Sequence, residues 1–164
     1  MQKFKTTLMD EAALMRAVRR ISHEIVERNK GTENLVLVGI KSRGIPLAKM
    51  IPDNISALEG VEIPLETLDT SLYRDDIEKP GSVPPVPLST DITGKRIILV
   101  DDVLYTGRTA RAAIEAVFSM GRPARIQPRD LRHGAEHGRH DDTVYVRAGT
   151  CRPRQAYPEA ESRP

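Results

Sequence analysis

Aliphatic residues recur along the chain in two alternating patterns. Between Asp10 and Lys30 they fall three and four residues apart, which predicts a helix with Asp10 as its N-cap and a stop at 29–31. Continuous apolar runs at 35–40 and 97–100 are typical of strands that are buried on both faces of a parallel sheet. A further strand is predicted at 61–69, where apolar and polar residues alternate in part.

Helical patterns follow the two apolar runs, around 47–51 and from Thr109 to Met120. Strands that alternate with helices predict an α/β fold, a doubly wound and mainly parallel sheet with helices on both faces. The stretch 78–93 is rich in Pro, Gly and Ser, which predicts a flexible loop or hairpin. Such a loop is either a lid over a binding site or a plain surface hairpin.

Composition limits the possible classes of protein. A chain of 164 residues with 39% hydrophobic content is the size of one domain and can support a core. The net charge of +2 neither demands nor excludes a nucleic-acid partner. No apolar run is long enough to cross a bilayer and no secretory signal is recognisable, so we expect a cytoplasmic protein. The lone Cys151 offers no internal disulfide.

Two acids, Asp101 and Asp102, directly follow the second apolar run. Thr106, Gly107 and Thr109 then lead into a helix. Hydroxyls, a glycine and exposed N–H groups at a helix N-terminus can cradle a phosphate. Carboxylates beside such a cradle indicate a ligand that carries a phosphate and hydroxyls or a cation, such as a phosphorylated sugar with Mg²⁺. The alternative is a helix-capping loop with a solvated acid pair.

The first apolar run also ends in a small polar loop, Lys41-Ser42-Arg43-Gly44, before the next helix. This loop lies at the carboxyl end of a predicted strand, where open α/β sheets bind their ligands. A simple strand-to-helix turn is the alternative.

The apolar strand, the paired acids and Thr106-Gly107-Arg108-Thr109 together resemble the phosphoribosyl-pyrophosphate (PRPP) motif of the type I phosphoribosyltransferases. The resemblance implies that the acids contact the ribose hydroxyls and that the following loop binds the 5′-phosphate. It also implies a pyrophosphate loop at 41–44, pyrophosphate contacts from Tyr73 and Arg74, and Mg²⁺ bound with PRPP. The residues implied to bind PRPP are Lys41, Ser42, Arg43, Gly44, Tyr73, Asp101, Asp102, Val103, Leu104, Tyr105, Thr106, Gly107, Arg108 and Thr109, and those implied to carry catalysis are Asp101, Asp102 and Arg74.

Further stretches are similar to the pyrimidine-operon attenuation regulators, which also act as uracil phosphoribosyltransferases. These stretches are 23–31, 38–44, 72–76, 100–109 and 121–126. The similarity implies conversion of uracil and PRPP to UMP and pyrophosphate. It also implies transcription attenuation, in which the protein binds a pyr mRNA hairpin when UMP or UTP is bound. Finally, it implies that the protein is a homodimer or tetramer.

RNA-binding residues are implied on the first predicted helix. His23 matches a family position on the RNA-binding face. Arg19 lies one helical turn earlier, where the family usually has Thr. A solvated helix face is the alternative.

The resemblance covers about residues 4–127 and stops after Gln127. We therefore predict a phosphoribosyltransferase-like domain at 1–127 and a divergent, poorly ordered tail at 128–164, where no strand is recognisable before a short one at 143–146. The tail contains His133, His137 and His140, but no helix is predicted there to align them, so no metal site is assigned. A shifted reading frame, from either a sequencing error or a real mutation in the gene, is our hypothesis for the tail.

Two other functions stay open at this point. One is a nucleotide-sensing, RNA-binding regulator without useful catalysis, which the divergent tail favours. The other is a phosphoribosyltransferase for another base, against which the block Leu72-Tyr73-Arg74-Asp75-Asp76 argues. The sequence identifies no general base.

Overall fold

The computed structural model describes residues 10–41, 44–74, 85–101, 108–129 and 146–147. Within these residues lie the helices α1 (Glu11–Asn29), α2 (Gly44–Glu59) and α3 (Arg108–Met120). The strands are β1 (Leu35–Ile40), β2 (Leu65–Leu68), β3 (Arg96–Val100), β4 (Arg125–Arg129) and β5 (Val146–Arg147), and a 3₁₀ turn covers Ser71–Tyr73. Among the helices described here, none is both long and apolar enough to span a membrane.

One sheet joins these strands in the order β2-β1-β3-β4-β5. The first four strands in this order run parallel, and β5 pairs antiparallel with β4. The predicted α/β fold with a mainly parallel sheet is therefore confirmed.

Helix α1 forms where its sequence pattern predicts it. The Asp10 carboxylate accepts a hydrogen bond from the Ala13 N–H at 2.6 Å and so caps the first turn. Lys30 adopts a left-handed conformation with φ 54°, and its N–H donates to the Glu27 carbonyl, which ends the helix.

The two faces of the sheet carry separate cores. Alternate side chains of β1 and β3 point to opposite faces of the sheet, and both faces are covered. All of β1 and residues 97–100 of β3 are therefore buried, and these residues form apolar runs in the sequence. Leu35, Leu37, Ile98 and Val100 pack with α1 and α2, whereas Val36, Val38, Ile97 and Leu99 pack with α3.

Strand β2 is shorter than predicted, because it covers only Leu65–Leu68 rather than 61–69. Val61 is exposed, and the first contact with β1 comes from the Pro64 carbonyl, which accepts from the Leu37 N–H at 2.9 Å. Pro64 has no N–H to donate, so regular pairing begins at the next residue.

Strand β4 was not predicted, since its sequence, RIQPR, contains one aliphatic residue. It crosses the boundary that we drew at Gln127 and includes Pro128 and Arg129. The Arg129 carbonyl accepts from the Asp101 N–H at 3.0 Å and therefore points to β3. Because the backbone groups of successive residues point to opposite sides of a strand, those of Pro128 point away from β3, toward the side of β5. The missing N–H of proline therefore removes no hydrogen bond to β3, and β5 pairs only with Arg125 and Ile126.

The short strand predicted at 143–146 overlaps β5 only at Val146. Residues 130–145 and 148–164, which include the three tail histidines, lie outside the described part of the chain.

Candidate active site

The parallel strands end together at one edge of the sheet, and a charged residue either ends each strand or directly follows it. In the strand order β2-β1-β3-β4 these residues are Asp69, Lys41, Asp101 and Arg129. The register places Ile40 beside Leu68, and Val100 beside both Gly39 and Arg129. Acidic and basic residues therefore alternate along the carboxyl edge, where ligands bind in open parallel sheets.

Asp101 is held at the end of the central strand β3. Only 7% of its surface is exposed, and its N–H is bonded to the Arg129 carbonyl. Asp101 and Arg129 also line a cavity of about 10 Å³ under α1 and α2, whose other lining residues are apolar. A volume of that size accommodates about one water molecule. Because its N–H is bonded to β4, the backbone of Asp101 is fixed by the sheet rather than by a loop.

Gly44 brings the loop after β1 against the end of β3. A Cβ atom at this position would lie 2.2 Å from the carbonyl oxygen of Val100 and 3.1 Å from the Cα of Asp101. Only glycine permits this approach, because a backbone carbonyl cannot move aside as a flexible side chain can. The first turn of α2 therefore begins beside Asp101.

Lys41 and Asp69 form an ion pair across the ends of β1 and β2, with 3.4 Å between Nζ and Oδ2. Asp69 was not among the predicted site residues. The sequence feature that could have identified it is an acidic residue directly after a strand. Asp69 follows β2 in the same way that Asp101 follows β3.

Tyr73 and Arg74 follow β2 in and after the 3₁₀ turn. The Tyr73 hydroxyl and the Ser119 hydroxyl lie 2.6 Å apart in a hydrogen bond that joins this turn to α3. Arg74 is partly buried.

Arg108 and Thr109 are the first residues of α3, and Arg108 is exposed. A helix begins with N–H groups that have no partner within the helix, and these favour a phosphate. The remaining predicted site residues, Ser42, Arg43, Asp102, Val103, Leu104, Tyr105, Thr106 and Gly107, lie outside the described residues.

Two carboxyl groups of the β2 region have lowered pKa values. Burial raises the pKa of Glu66, but hydrogen bonds from Thr90 and Ser89 outweigh it and hold the pKa below its usual value. Hydrogen bonds from the Ser71 side chain and backbone lower the pKa of Asp69 against a small effect of burial, and Lys41 lowers it further. Both groups are therefore charged at neutral pH.

Three further observations concern the described residues outside this row of charges. Arg19 and His23 are exposed one turn apart on α1. A cavity of about 440 Å³ borders the segment 85–92 and the last residues of α3, and none of the predicted site residues lines it. Within the described ranges, no three or more His, Cys, Asp or Glu side chains form a group that could hold a metal ion.

Comparison with protein families finds a match to the phosphoribosyl transferase domain over residues 6–127. The Bifunctional protein PyrR of Oceanobacillus iheyensis is 52% identical over 130 residues, which are 76% of this chain and 72% of the relative. The Bifunctional protein PyrR of Thermus aquaticus is 56% identical over 127 residues, which are 76% of this chain and 70% of the relative.

Among solved structures, a hypoxanthine phosphoribosyltransferase from Trypanosoma cruzi in complex with the product IMP has a similar fold. The TM-score is 0.62 at 17% identity, over 87% of this chain and 81% of that chain. At that identity the likeness supports the fold and not the substrate.

Proposed function

We infer the function of this chain from the family to which it belongs: it is a phosphoribosyl transferase domain protein of the bifunctional PyrR family. It converts uracil and PRPP to UMP and pyrophosphate, and it regulates pyrimidine biosynthesis by uridine-nucleotide-dependent binding to pyr mRNA. The 52% and 56% identity to bifunctional PyrR proteins, each over 76% of this chain, carries this conclusion. The domain match at 6–127 supports it, because it spans all the candidate PRPP-binding residues, from Lys41 to Thr109.

In this proposal the carboxyl edge of the sheet holds PRPP. Asp101 and Asp102 accept hydrogen bonds from the ribose hydroxyls, and residues 103–109 surround the 5′-phosphate at the start of α3. The loop 41–44 and Arg74 bind the pyrophosphate, and Tyr73 lies beside them. The alternation of charge along the edge supports this arrangement, because a ligand with hydroxyls and phosphates needs both acceptors and cations.

Magnesium is the metal that suits this ligand. Mg²⁺ prefers oxygen ligands and is held by one or two carboxylates together with substrate phosphates. The buried carboxylate of Asp101, followed in the sequence by Asp102, fits that donor set. When bound with PRPP, Mg²⁺ neutralises charge on the leaving pyrophosphate.

The protein contributes position and charge to the reaction rather than covalent chemistry. Uracil nitrogen displaces pyrophosphate at the anomeric carbon through a cation-like transition state. Residues that fix the ribose and the pyrophosphate raise the rate by orienting the reacting atoms, and Arg74 stabilises the charge that develops on the leaving group.

The RNA-binding surface lies on α1 in this proposal. Arg19 and His23 are exposed together, and basic side chains on a helix can contact the phosphates of an RNA hairpin while its loop bases are read elsewhere. The effectors are UMP and UTP, the protein is a homodimer or tetramer, and it acts in the cytoplasm.

We also propose that residues 128–164 are a divergent tail produced by a shifted reading frame. The support is that the family match ends at Gln127. Sequencing of the gene tests this proposal, because one of the other two frames must then encode a PyrR-like ending. A gene with no such frame refutes it.

The decisive experiment is UMP formation from uracil and PRPP with Mg²⁺, with the Asp101→Asn, Asp102→Asn double variant as control. We expect turnover with uracil that the variant loses, and no turnover with hypoxanthine or guanine. PRPP binding without turnover would instead leave an RNA-binding regulator without catalysis. A chain that neither turns over uracil nor binds PRPP would refute the proposed enzyme.

A further inference from the structure

Asp69 connects two loops that the proposed function assigns to pyrophosphate. The Lys41 N–H donates to the Leu68 carbonyl at 2.8 Å, which aligns the ends of β1 and β2. Beyond that backbone bond, Asp69 Oδ2 lies 3.4 Å from Lys41 Nζ. The first residue of the loop 41–44 is therefore attached to the end of β2.

The other oxygen of Asp69 holds the turn that precedes Arg74. Asp69 Oδ1 accepts from the Ser71 N–H at 3.0 Å. The same turn is closed by the Tyr73 N–H, which donates to the carbonyl of the buried Thr70 at 3.0 Å. One carboxylate thus fixes both the loop after β1 and the turn after β2.

This ion pair adds little to the stability of the fold. The side chains of Lys41 and Asp69 are 60% and 48% exposed, and ion pairs at such exposure are largely screened by water. Asp69 nevertheless stays charged, because its hydrogen bonds with Ser71 keep its pKa below the usual value. At neutral pH the charged carboxylate is therefore available to both Lys41 and Ser71.

We propose that Asp69 is a positioning residue for the pyrophosphate half of the site, a role that rests on the proposed function. It holds the ammonium of Lys41 by charge and the turn that carries Tyr73 and Arg74 by a backbone hydrogen bond. Without it, the two groups of pyrophosphate ligands move independently, and PRPP must order them on binding.

Asp91 provides a matched control within the same chain. Its Oδ1 accepts from the Thr93 N–H at 2.9 Å, which repeats the bond between Asp69 and Ser71. Lys95 lies close enough to lower its pKa, after the larger effect of the hydrogen bonds from Thr93. Asp91 precedes β3, at the opposite edge of the sheet from the candidate site.

The test is PRPP binding by titration calorimetry in the presence of Mg²⁺, with the full chain and its variants. We expect Asp69→Asn, which keeps an acceptor oxygen but loses the charge, to weaken PRPP binding about three- to tenfold. Asp69→Ala loses both the acceptor oxygen and the charge, so it should weaken PRPP binding further. Asp91→Asn should bind as the unsubstituted chain does, and thermal unfolding should be similar for Asp69→Asn and Asp91→Asn.

A double-mutant cycle separates positioning from general loosening of the fold. If Asp69 acts through Lys41, Asp69→Asn should have little further effect on PRPP affinity when Lys41 is already replaced by Met. Unchanged affinity in Asp69→Asn, an equal loss in Asp91→Asn, or additive effects with Lys41→Met would each overturn the proposal. If the unsubstituted chain itself fails to bind PRPP, the proposed function fails with it.

Discussion

Asn29 and Gln127 form a reciprocal amide pair between the end of α1 and β4. The Gln127 Nε2 donates to Asn29 Oδ1 at 2.9 Å, and the Asn29 Nδ2 donates to Gln127 Oε1 at 3.4 Å and to the Ile25 carbonyl at 2.8 Å. Gln127 is fully buried, and Asn29 is 4% exposed. A buried amide is costly unless it is hydrogen-bonded, so these two residues require each other.

Gln127→Leu should destabilise the protein by about 1–3 kcal/mol, because it leaves the Asn29 amide oxygen buried without its donor. The Asn29→Leu, Gln127→Leu double variant should lose less than the sum of the single variants, since both polar groups are then removed. Urea denaturation measures these free energies of unfolding.

Asn54→Ala is the control for this pair. Asn54 Nδ2 donates to the Met50 carbonyl at 2.8 Å on α2, a bond like that of Asn29 to Ile25, but the side chain is only partly buried. We expect a smaller loss for this variant. An equal loss in Asn54→Ala and Gln127→Leu would contradict the role of the buried pair.

At the scale of elements, Glu66 fixes the segment 85–92 to the edge strand β2. Its carboxylate accepts from the backbone N–H groups and the hydroxyls of Ser89 and Thr90, at distances from 2.5 to 3.2 Å. Strand β2 therefore organises the chain on both sides: Glu66 holds the segment that leads to β3, and Asp69 holds the turn that carries Arg74.

The attachment through Glu66 should depend on pH. The pKa of Glu66 is lowered in the folded protein, so its contribution is fully present above the unfolded pKa, near the usual 4.5, and is lost as the pH falls through the folded value. Glu66→Gln should lower the stability at pH 7 by about 1 kcal/mol, and the difference should shrink as the pH falls below 4.5.

Thermal unfolding at about pH 7 and at about pH 3.5 checks this prediction. Glu62→Gln is the control, because Glu62 is exposed just before β2. If Glu66→Gln is as much less stable than the unsubstituted chain at the acidic pH as at neutral pH, the carboxylate charge is not responsible for the loss of stability.

At the scale of the whole molecule, the sequence predicted those elements whose physics is local. Local sequence was enough to predict α1, from the cap at Asp10 and the helical spacing of its apolar residues. It was also enough to predict β1 and β3, from their apolar runs. Strand β4 was not predicted because its burial depends on residues that are distant in the sequence. The buried Gln127, for example, is hydrogen-bonded to Asn29. The contact of Asp69 with Lys41 could not be predicted for the same reason, since it depends on the pairing of β1 with β2.

The whole molecule also separates the two proposed activities in space. The inner side of α1 packs on the sheet through Val18, Ile21 and Ile25, and its outer side exposes Arg19 and His23. The candidate active site lies at the carboxyl edge of the same sheet. Substitutions on the outer side of α1 leave the packing of that edge intact, so RNA binding and catalysis should be separable by mutation.

The Arg19→Ala, His23→Ala double variant should bind a pyr mRNA hairpin more weakly while it forms UMP at the unsubstituted rate. With fewer phosphates neutralised, the dependence of log affinity on log salt should also fall, by about one unit for each phosphate that the variant no longer binds. Arg111→Ala is the matched control, because Arg111 is exposed on α3, which covers the other face of the sheet. Filter binding with UMP present, repeated over a range of salt concentrations, measures both quantities. If Arg111→Ala weakens RNA binding as much as the double variant does, net charge rather than the α1 surface determines RNA affinity.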